Sequence, residues 1–307
     1  MRCIFEMTIL VTGSGGFVGN HIFNSIKGDK VGIQRDIGKR TVNGGTVAIG
    51  DLRNYDFVNR VVLEYEPDTV IHVAASAIVN QGLQNPSEMY SSNLIGTLNL
   101  LEACKKLNNK NLYFLYFSTD KVLGDLQGGR EDDPYPWTKM GPYEQSKAMS
   151  ELLCSRYHEF FRLCTTRSPN IYGPGDKSNR IIPNGIRRVL SGKNPQAYNA
   201  DVRQYIYVED VVRAITFLWQ NEARGTWHLG TPDILTSVQV CEQIVKSSAM
   251  DLKVDLEIDN VAASHHFLYY IHNQYLNYEK LKKFGWEPEM SFAEGIGKTI
   301  MWWWQFF

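Results

Sequence analysis

Tyr143 and Lys147 stand four residues apart in the run Tyr143-Glu144-Gln145-Ser146-Lys147. On a helix, positions i and i+4 share a face, so a phenol and an ammonium at this spacing point into one cleft. A neighbouring cation lowers the pKa of a phenol, and the phenolate can then take the proton of a hydroxyl during hydride transfer. The same spacing also occurs on solvated helix faces, so its weight depends on what stands upstream. There the chain carries Gly13-Ser14-Gly15-Gly16-Phe17-Val18-Gly19, with the spacing G-x-x-G-x-x-G, directly after the apolar run Thr8–Thr12. Glycine lets a backbone turn tightly and approach a pyrophosphate, whose charge then rests on the N-terminus of the following helix.

A dinucleotide held this way meets the end of the second strand, where an acid would bond the adenosine ribose and an Arg would accept a 2′-phosphate. Here that end reads Gln34-Arg35-Asp36. If Arg35 holds the key position the cofactor is NADP; if Asp36 holds it, NAD. The choice leans to NADP, and the short turn at Lys27–Lys30 leaves the register open. Asp51-Leu52, after the third strand, is placed to touch the adenine, or else Asp51 caps a helix.

The elements that must position these groups are legible as alternation. Thr8–Thr12, Val31–Gln34, Thr46–Ile49, Thr69–Ala74 and Leu112–Phe117 read as buried strands, with Leu163–Thr166 completing the sheet. Helices are expected from about Phe17, over Ser92–Leu107 and over Pro142–Phe161. Continuous apolar strands separated by helices mean a parallel sheet covered on both faces. After Ser168 proline and glycine become frequent and the alternation breaks, with a strand expected at Gln204–Val208 and helices at Ile181–Ser191 and Asp210–Gln220. The expected fold is therefore α/β: a Rossmann, doubly wound parallel sheet over residues 7–168, and a smaller, discontinuous C-terminal α/β lobe within 169–307, some of whose segments return to the core.

Composition narrows the field. The chain has 307 residues, a formal charge of −1 and 43% hydrophobic residues. Without a basic excess, neither nucleic acid nor an anionic membrane surface is expected as a partner. No apolar run reaches the ~18 residues of a membrane span. The five cysteines are odd in number and lack metal-ligand spacing, so they read as reduced core thiols of a cytoplasmic protein, and no metal is expected. His21, His72, His158 and His228 lie near apolar stretches and read as packing residues. Residues 1–6 are too short for a signal peptide, and the recognisable pattern begins at Met7. The terminal Met301-Trp302-Trp303-Trp304-Gln305-Phe306-Phe307 reads as a helix end packed on its own domain.

In order along the chain, Gly13-x-x-Gly16-x-x-Gly19, Asp51-Leu52, His72-Val73-Ala74-Ala75, Asn93-Leu94-Ile95-Gly96-Thr97, Ser118-Thr119 and Tyr143-x-x-x-Lys147 resemble the extended short-chain dehydrogenase/reductases. Arg167–Gly175, Arg203–Asp210 and Phe284–Pro288 continue the likeness, which spans about residues 7–304. The resemblance implies a nicotinamide cofactor held by Gly13, Gly16, Phe17, Val18, Gly19, Arg35 or Asp36, Asp51, Leu52, Ala74, Ala75 and Asn93. It implies Tyr143 as the base, Lys147 on the nicotinamide ribose, Thr119 at the substrate hydroxyl, and Ser118 and Arg180 among the substrate-binding residues. It implies a nucleotide-activated sugar whose diphosphate meets Asn170 and Arg203, and a homodimer formed through a four-helix interface.

This family includes epimerases, reductases, decarboxylases and dehydratases, so the fold leaves the reaction open. Ser118-Thr119-Asp120-Lys121 is the discriminating stretch: nucleotide-sugar 4,6-dehydratases carry an acid after this Thr, then Glu or Lys. Once C4 is oxidised, the C5 proton must be removed and the C6 hydroxyl protonated, which two adjacent groups accomplish. Asp120 would be that acid and Lys121 that base. The Asp-Lys pair resembles that of CDP-glucose 4,6-dehydratases and of some UDP-N-acetylglucosamine dehydratases, and the flanking stretches 73–103 and 170–183 are more similar to the first group. Val122-Leu123-Gly124 instead resembles the Val-Tyr-Gly of epimerases and reductases, which keeps a 4-epimerase or 4-keto reductase as the alternative. A non-catalytic, cofactor-sensing protein on the same scaffold is disfavoured because both Tyr143 and Lys147 are present.

Overall fold

The computed structural model describes residues 7–36, 43–77, 79–198, 201–248, 257–261 and 271–307, with backbone only at 79–81. Residues 1–6, with Cys3, and Ile78 lie outside the described residues. The chain divides into two compact units: Met1–Gly124 with Pro134–Arg167 and Ile215–Trp227, and Asp125–Asp133 with Ser168–Ala214 and His228–Phe307.

The first unit alternates strands and helices: β1 (Ile9–Thr12), α1 (Phe17–Ser25), β2 (Lys30–Gln34), β3 (Thr46–Ile49), α2 (Tyr55–Tyr65) and β4 (Thr69–His72). It continues through α3 (Val79–Gln84), α4 (Pro86–Tyr90), a π-helical turn Ser91–Ile95, α5 (Gly96–Lys106), β5 (Tyr113–Thr119) and α6 (Pro142–Ser155). The seven-stranded sheet runs Gly225–His228, Arg162–Ser168, β5, β4, β1, β2, β3. The pairs β1·β2, β1·β4, β2·β3 and β4·β5 are parallel, with Thr12 level with both Ile33 and His72. Every residue of β1, β4 and β5 is buried, as a sheet covered on both faces demands. Leu10, Val62, Val70, Leu101 and Phe114 share one core cluster. The chain leaves β1 toward β2 and β3 on one side and β4 and β5 lie on the other, so the C-terminal ends of β1 and β4 open a crevice at a topological switch point.

The second unit holds a five-stranded sheet ordered Ile234–Thr236, Val202–Tyr207, Asn273–Leu276, Gln127–Gly129, with Asn170–Tyr172 beside Val202–Tyr207. Helices Ile181–Leu190, Ser237–Ser248 and Phe292–Trp303 close its core around Tyr172, Ile186, Tyr205, Ile244 and Ile296. Ser291 and Glu294 form a reciprocal capping box at the start of the last helix. At its end Trp303 is buried against the unit, while Phe306 and Phe307 are exposed.

Several boundaries differ from the sequence expectation. The helix expected over Ser92–Leu107 begins earlier, because Asn85 caps α4 by accepting from the Glu88 amide and Pro86 occupies the first turn; it is then interrupted by the π turn. The helix expected to reach Phe161 ends at Ser155, and the following turn carries Phe161 back onto Phe114, ring centroids 5.6 Å apart. The strand expected to reach Ala74 stops at His72, and Gly225–His228 adds a strand that four residues of modest apolarity did not announce. His158 is exposed rather than packed, and its Nδ1 lies 2.8 Å from the Ser155 carbonyl oxygen. Cys104, Cys154, Cys164 and Cys241 are buried thiols. Among the described residues no helix is long and apolar enough to cross a membrane.

Candidate active site

At the mouth of the crevice the glycine loop is fixed by its own backbone. The Gly13 amide donates to the Ile33 carbonyl at 2.8 Å and the Gly16 amide to the Gly13 carbonyl at 2.8 Å. Gly13 has φ +73°, and a Cβ there would lie 2.9 Å from the Ala74 backbone. A Cβ at Gly19 would lie 2.1 Å from the Gly13 oxygen, so only glycine lets α1 start against the loop. Gly16 is the N-cap of α1 and brings no side chain to its first turn. The resulting pocket, about 230 Å³, is lined by Gly13, Gly15 and Gly16, the β2 end at Gln34-Arg35-Asp36, Asp51-Leu52, Ala74-Ala75 and Ser92. Phe17, Val18 and Gly19 follow on α1. Among the described residues the Oε1 of Gln34 is buried without a hydrogen-bond partner, an acceptor that a ligand hydroxyl could satisfy. A cradle of glycines at a helix N-terminus with an unmet buried acceptor fits a dinucleotide.

Asp51 is pinned rather than loose. The Arg53 guanidinium donates to both its oxygens, at 3.0 Å and 2.6 Å to Oδ2, and also reaches Glu88. That hydrogen bond holds the Asp51 carboxyl below the usual carboxylate range. The cap of α2 falls to Asn54, whose side chain accepts from the Phe57 amide, and Asp51 is not the cap. Arg53 was not singled out from the sequence, though an Arg two residues after an Asp is a visible local pair.

β5 delivers Ser118 and Thr119 at its end, and a single 3₁₀ turn, Asp120–Leu123, follows. Asp120 is 1% exposed and accepts from the Thr119 hydroxyl at 3.0 Å. Thr119 in turn caps the turn by accepting from the Lys121 amide. Asp120 is thus no exposed loop residue, while Lys121 is half-buried. α6 packs on this turn and on β5, bringing Tyr143 and Lys147, both buried, to the same region. The Lys147 ammonium donates to the Phe117 carbonyl at 2.7 Å, and burial brings its pKa down to about 8. Two groups that sequence reading left out complete the setting. Glu144 is buried directly after Tyr143, and Glu151, one turn after Lys147, pairs with the buried Arg167 at 2.8 Å and accepts from the Tyr135 hydroxyl. The i, i+4 spacing of Lys147 and Glu151 was the signal available for the second.

A buried hydrogen-bond chain braces the crevice. The Thr97 hydroxyl donates to the Asn93 carbonyl, so its oxygen accepts from His72 Nε2 at 2.9 Å, and His72 Nδ1 must accept from the Thr12 hydroxyl at 2.7 Å. Thr12 also receives the Ala74 amide. His72 is therefore a neutral imidazole, and burial, helped by the Lys147 charge, lowers its pKa to about 3. Asn93 accepts from the Ser76 amide at 2.7 Å and donates to the Ser146 hydroxyl at 2.9 Å. Its side chain therefore ties the segment after β4 to α6, from inside the π turn.

In the second unit, Asn170, Arg180 and Arg203 line one pocket of about 260 Å³ together with Tyr198, Asp201 and Tyr205. Arg180 pairs with Asp176 at 2.8 Å. Arg203 donates to the carbonyls of Ile271 and His272, and the Asn170 amide donates to the Gln204 carbonyl at 3.3 Å. Two guanidinium groups around one cavity suit a diphosphate.

Comparison with known proteins places this geometry. Residues 9–230 match the NAD dependent epimerase/dehydratase family. The chain is 28% identical over 326 residues to a dTDP-glucose 4,6-dehydratase of Streptomyces niveus, covering 97% of this chain and 95% of that one. It is 30% identical over 322 residues to a trifunctional UDP-glucose 4,6-dehydratase/UDP-4-keto-6-deoxy-D-glucose 3,5-epimerase/UDP-4-keto-L-rhamnose-reductase of Arabidopsis thaliana. That match covers 97% of this chain, which spans only 47% of the plant protein's length. The crystal structure of a UDP-glucose 4-epimerase of Thermus thermophilus in complex with NAD superposes with a TM-score of 0.81 at 27% identity, covering 96% of this chain and 98% of that one.

Proposed function

We propose that this chain, which belongs to the NAD dependent epimerase/dehydratase family, is a nucleotide-sugar 4,6-dehydratase. It is an enzyme that binds a nicotinamide dinucleotide and modifies a nucleotide-activated sugar. Within that class the observation that carries the dehydratase reading is Asp120, a buried carboxyl hydrogen-bonded to Thr119 and adjacent to Lys121. An epimerase needs no acid there. In this reading Gly13, Gly16, Phe17, Val18 and Gly19 hold the pyrophosphate, Arg35 or Asp36 the adenosine ribose, and Asp51 and Leu52 the adenine. Ala74, Ala75 and Asn93 shape the nicotinamide side. When bound, the nicotinamide supplies a hydride acceptor for C4 and a hydride donor for C6. Tyr143 takes the C4 hydroxyl proton, its phenolate favoured by the Lys147 ammonium, while Ser118 and Thr119 hydrogen-bond that hydroxyl. Lys121 takes the C5 proton and Asp120 protonates the C6 oxygen that leaves as water. Asn170, Arg180 and Arg203 hold the diphosphate.

The test is a donor screen: purified protein with CDP-, UDP-, dTDP- and GDP-hexoses and either cofactor, products read by mass spectrometry. Loss of one water from one donor without net cofactor consumption is the expected result. The sequence likeness favours CDP-glucose, the curated relatives a UDP- or dTDP-glucose. The second reading is a 4-epimerase, favoured by the Thermus thermophilus likeness. Asp120→Asn separates the two, abolishing water loss but not C4 oxidation in a dehydratase and leaving an epimerase active. We also infer a homodimer through α5 and α6, because Met149 and Leu152 on α6 are exposed, as are Ile95 just before α5 and Phe160 beyond the end of α6. A monomeric mass in solution at micromolar concentration would overturn it.

A further inference from the structure

The aromatic run Trp302-Trp303-Trp304-Gln305-Phe306 takes no part in the chemistry proposed above, yet two cations lie against it. Trp302 and Trp303 end the helix Phe292–Trp303, and Phe306 closes the 3₁₀ turn that follows. The Phe306 ring stands 4.9 Å from Trp302 and 5.8 Å from Trp303, centroid to centroid. The Lys177 ammonium lies 4.4 Å from the Phe306 centroid and 5.7 Å from that of Trp302. The Arg187 guanidinium lies 5.4 Å from the Trp303 centroid. All three separations fall within the roughly 6 Å over which a ring attracts a cation.

Both cations hold one short segment. Arg187 donates to the Lys177 carbonyl at 3.4 Å and to the Asn179 side-chain oxygen at 2.8 Å. Lys177 and Asn179 flank Ser178, and the next residue is Arg180, which lines the pocket of the second unit. The Arg180 side chain is held in turn from within the segment. Its Nε donates to the Ser178 hydroxyl at 3.2 Å and its Nη2 to the buried Asp176 carboxylate at 2.8 Å. A long, exposed arginine loses rotamer freedom when it grips a ligand, and one already held loses less. That gain requires residues 176–179 to keep their place, and Lys177 and Arg187 tie them to the aromatic cluster.

We propose that Trp302, Trp303 and Phe306 are positioning residues for Arg180. Through Lys177 and Arg187 they fix the segment 176–179, so that the Arg180 guanidinium is presented ready-held to a diphosphate. None of the three aromatic residues lines the pocket. The inference rests on the reading of Arg180 as a diphosphate ligand and is independent of the reaction that follows.

The test titrates the full chain with CDP, UDP, dTDP and GDP by calorimetry and carries the tightest binder forward as the probe. Phe306→Ala and Lys177→Met change exposed side chains. Each is expected to weaken the probe about two- to fivefold, the scale of an exposed cation–π contact, with NAD affinity unchanged. Lys177→Arg, which keeps the cation, restores most of the loss. Arg180→Met weakens the probe about tenfold or more, and adding Phe306→Ala to it changes the affinity no further. An equal loss from Phe306→Ala with and without Arg180, a matching loss of NAD affinity, or no loss at all overturns the clasp while Arg180 keeps its assignment. If Arg180→Met leaves the affinity unchanged, or no nucleoside diphosphate binds the parent protein, the diphosphate reading of Arg180 fails, and the clasp with it.

Discussion

The Lys147 ammonium donates to the Phe117 carbonyl oxygen at 2.7 Å and sits 4.3 Å above the Tyr116 ring centroid, so one buried cation fastens α6 to β5. In the proposed reaction the same ammonium favours the Tyr143 phenolate. Glu151, at i+4, favours the charged form, and burial opposes it more strongly.

With its pKa brought down to about 8, Lys147 titrates inside the working range. Turnover of the parent protein is expected to fall as pH rises past about 8, because the neutral amine no longer favours the phenolate. Stability moves the other way. Between about 8 and the ordinary 10.5 the unfolded chain binds the proton and the native chain does not, so stability rises with pH across that window. Paired pH profiles of kcat and of urea midpoint check both slopes, and Lys147→Met removes this group's share of each.

His72 imposes an acid limit. Its native pKa of about 3 lies below the ordinary 6.5, so the stability it contributes is complete above 6.5 and is lost as pH falls toward 3. Between pH 7 and pH 5 the loss is about 2 kcal/mol from this group. Denaturant titrations at the two pH values should show it, and His72→Asn should flatten the difference even if it lowers stability throughout.

Two glycine-to-alanine changes are expected to have opposite signs. Gly19→Ala forces a Cβ to within 2.1 Å of the Gly13 oxygen and should cost about 1–3 kcal/mol together with most of the cofactor affinity. Gly297→Ala meets nothing within 4 Å and lies inside the last helix, where alanine should stabilise by about 0.5–1 kcal/mol. Melting curves with and without cofactor distinguish the two.

In the proposed reading cofactor choice is set at the end of β2, where Arg35 and Asp36 both line the pocket. Arg35→Ser is expected to weaken NADP by about tenfold or more and leave NAD nearly unchanged; Asp36→Ser should do the reverse. Dissociation constants for both cofactors in both variants identify the residue that reads the ribose.

The nucleotide-binding half was legible because its signals are local. A buried run followed by spaced glycines announces β1 and α1, and the Tyr143–Lys147 spacing announces a shared helix face. Asp120 and Lys121 could be found only by resemblance, since an acid beside a lysine after a strand otherwise reads as a turn; its burial is a tertiary fact. Arg53, Glu144 and the Glu151–Arg167 pair were missed for the same reason: each owes its meaning to a partner or an enclosure that spacing along the chain does not reveal. The strand Gly225–His228 is held by its neighbour in the sheet more than by its own composition.

The π turn at Ser91–Ile95 accommodates one residue more than an α-helical turn of the same rise. Excising one residue there would restore an ordinary helix without rotating α5, so the fold would survive the deletion. Asn93 would not survive it in place: its carboxamide would swing away from Ser76 and Ser146, and the segment after β4 would lose its tie to the helix that bears Tyr143. The surplus residue is dispensable to the architecture and indispensable to the alignment of its two halves of chemistry.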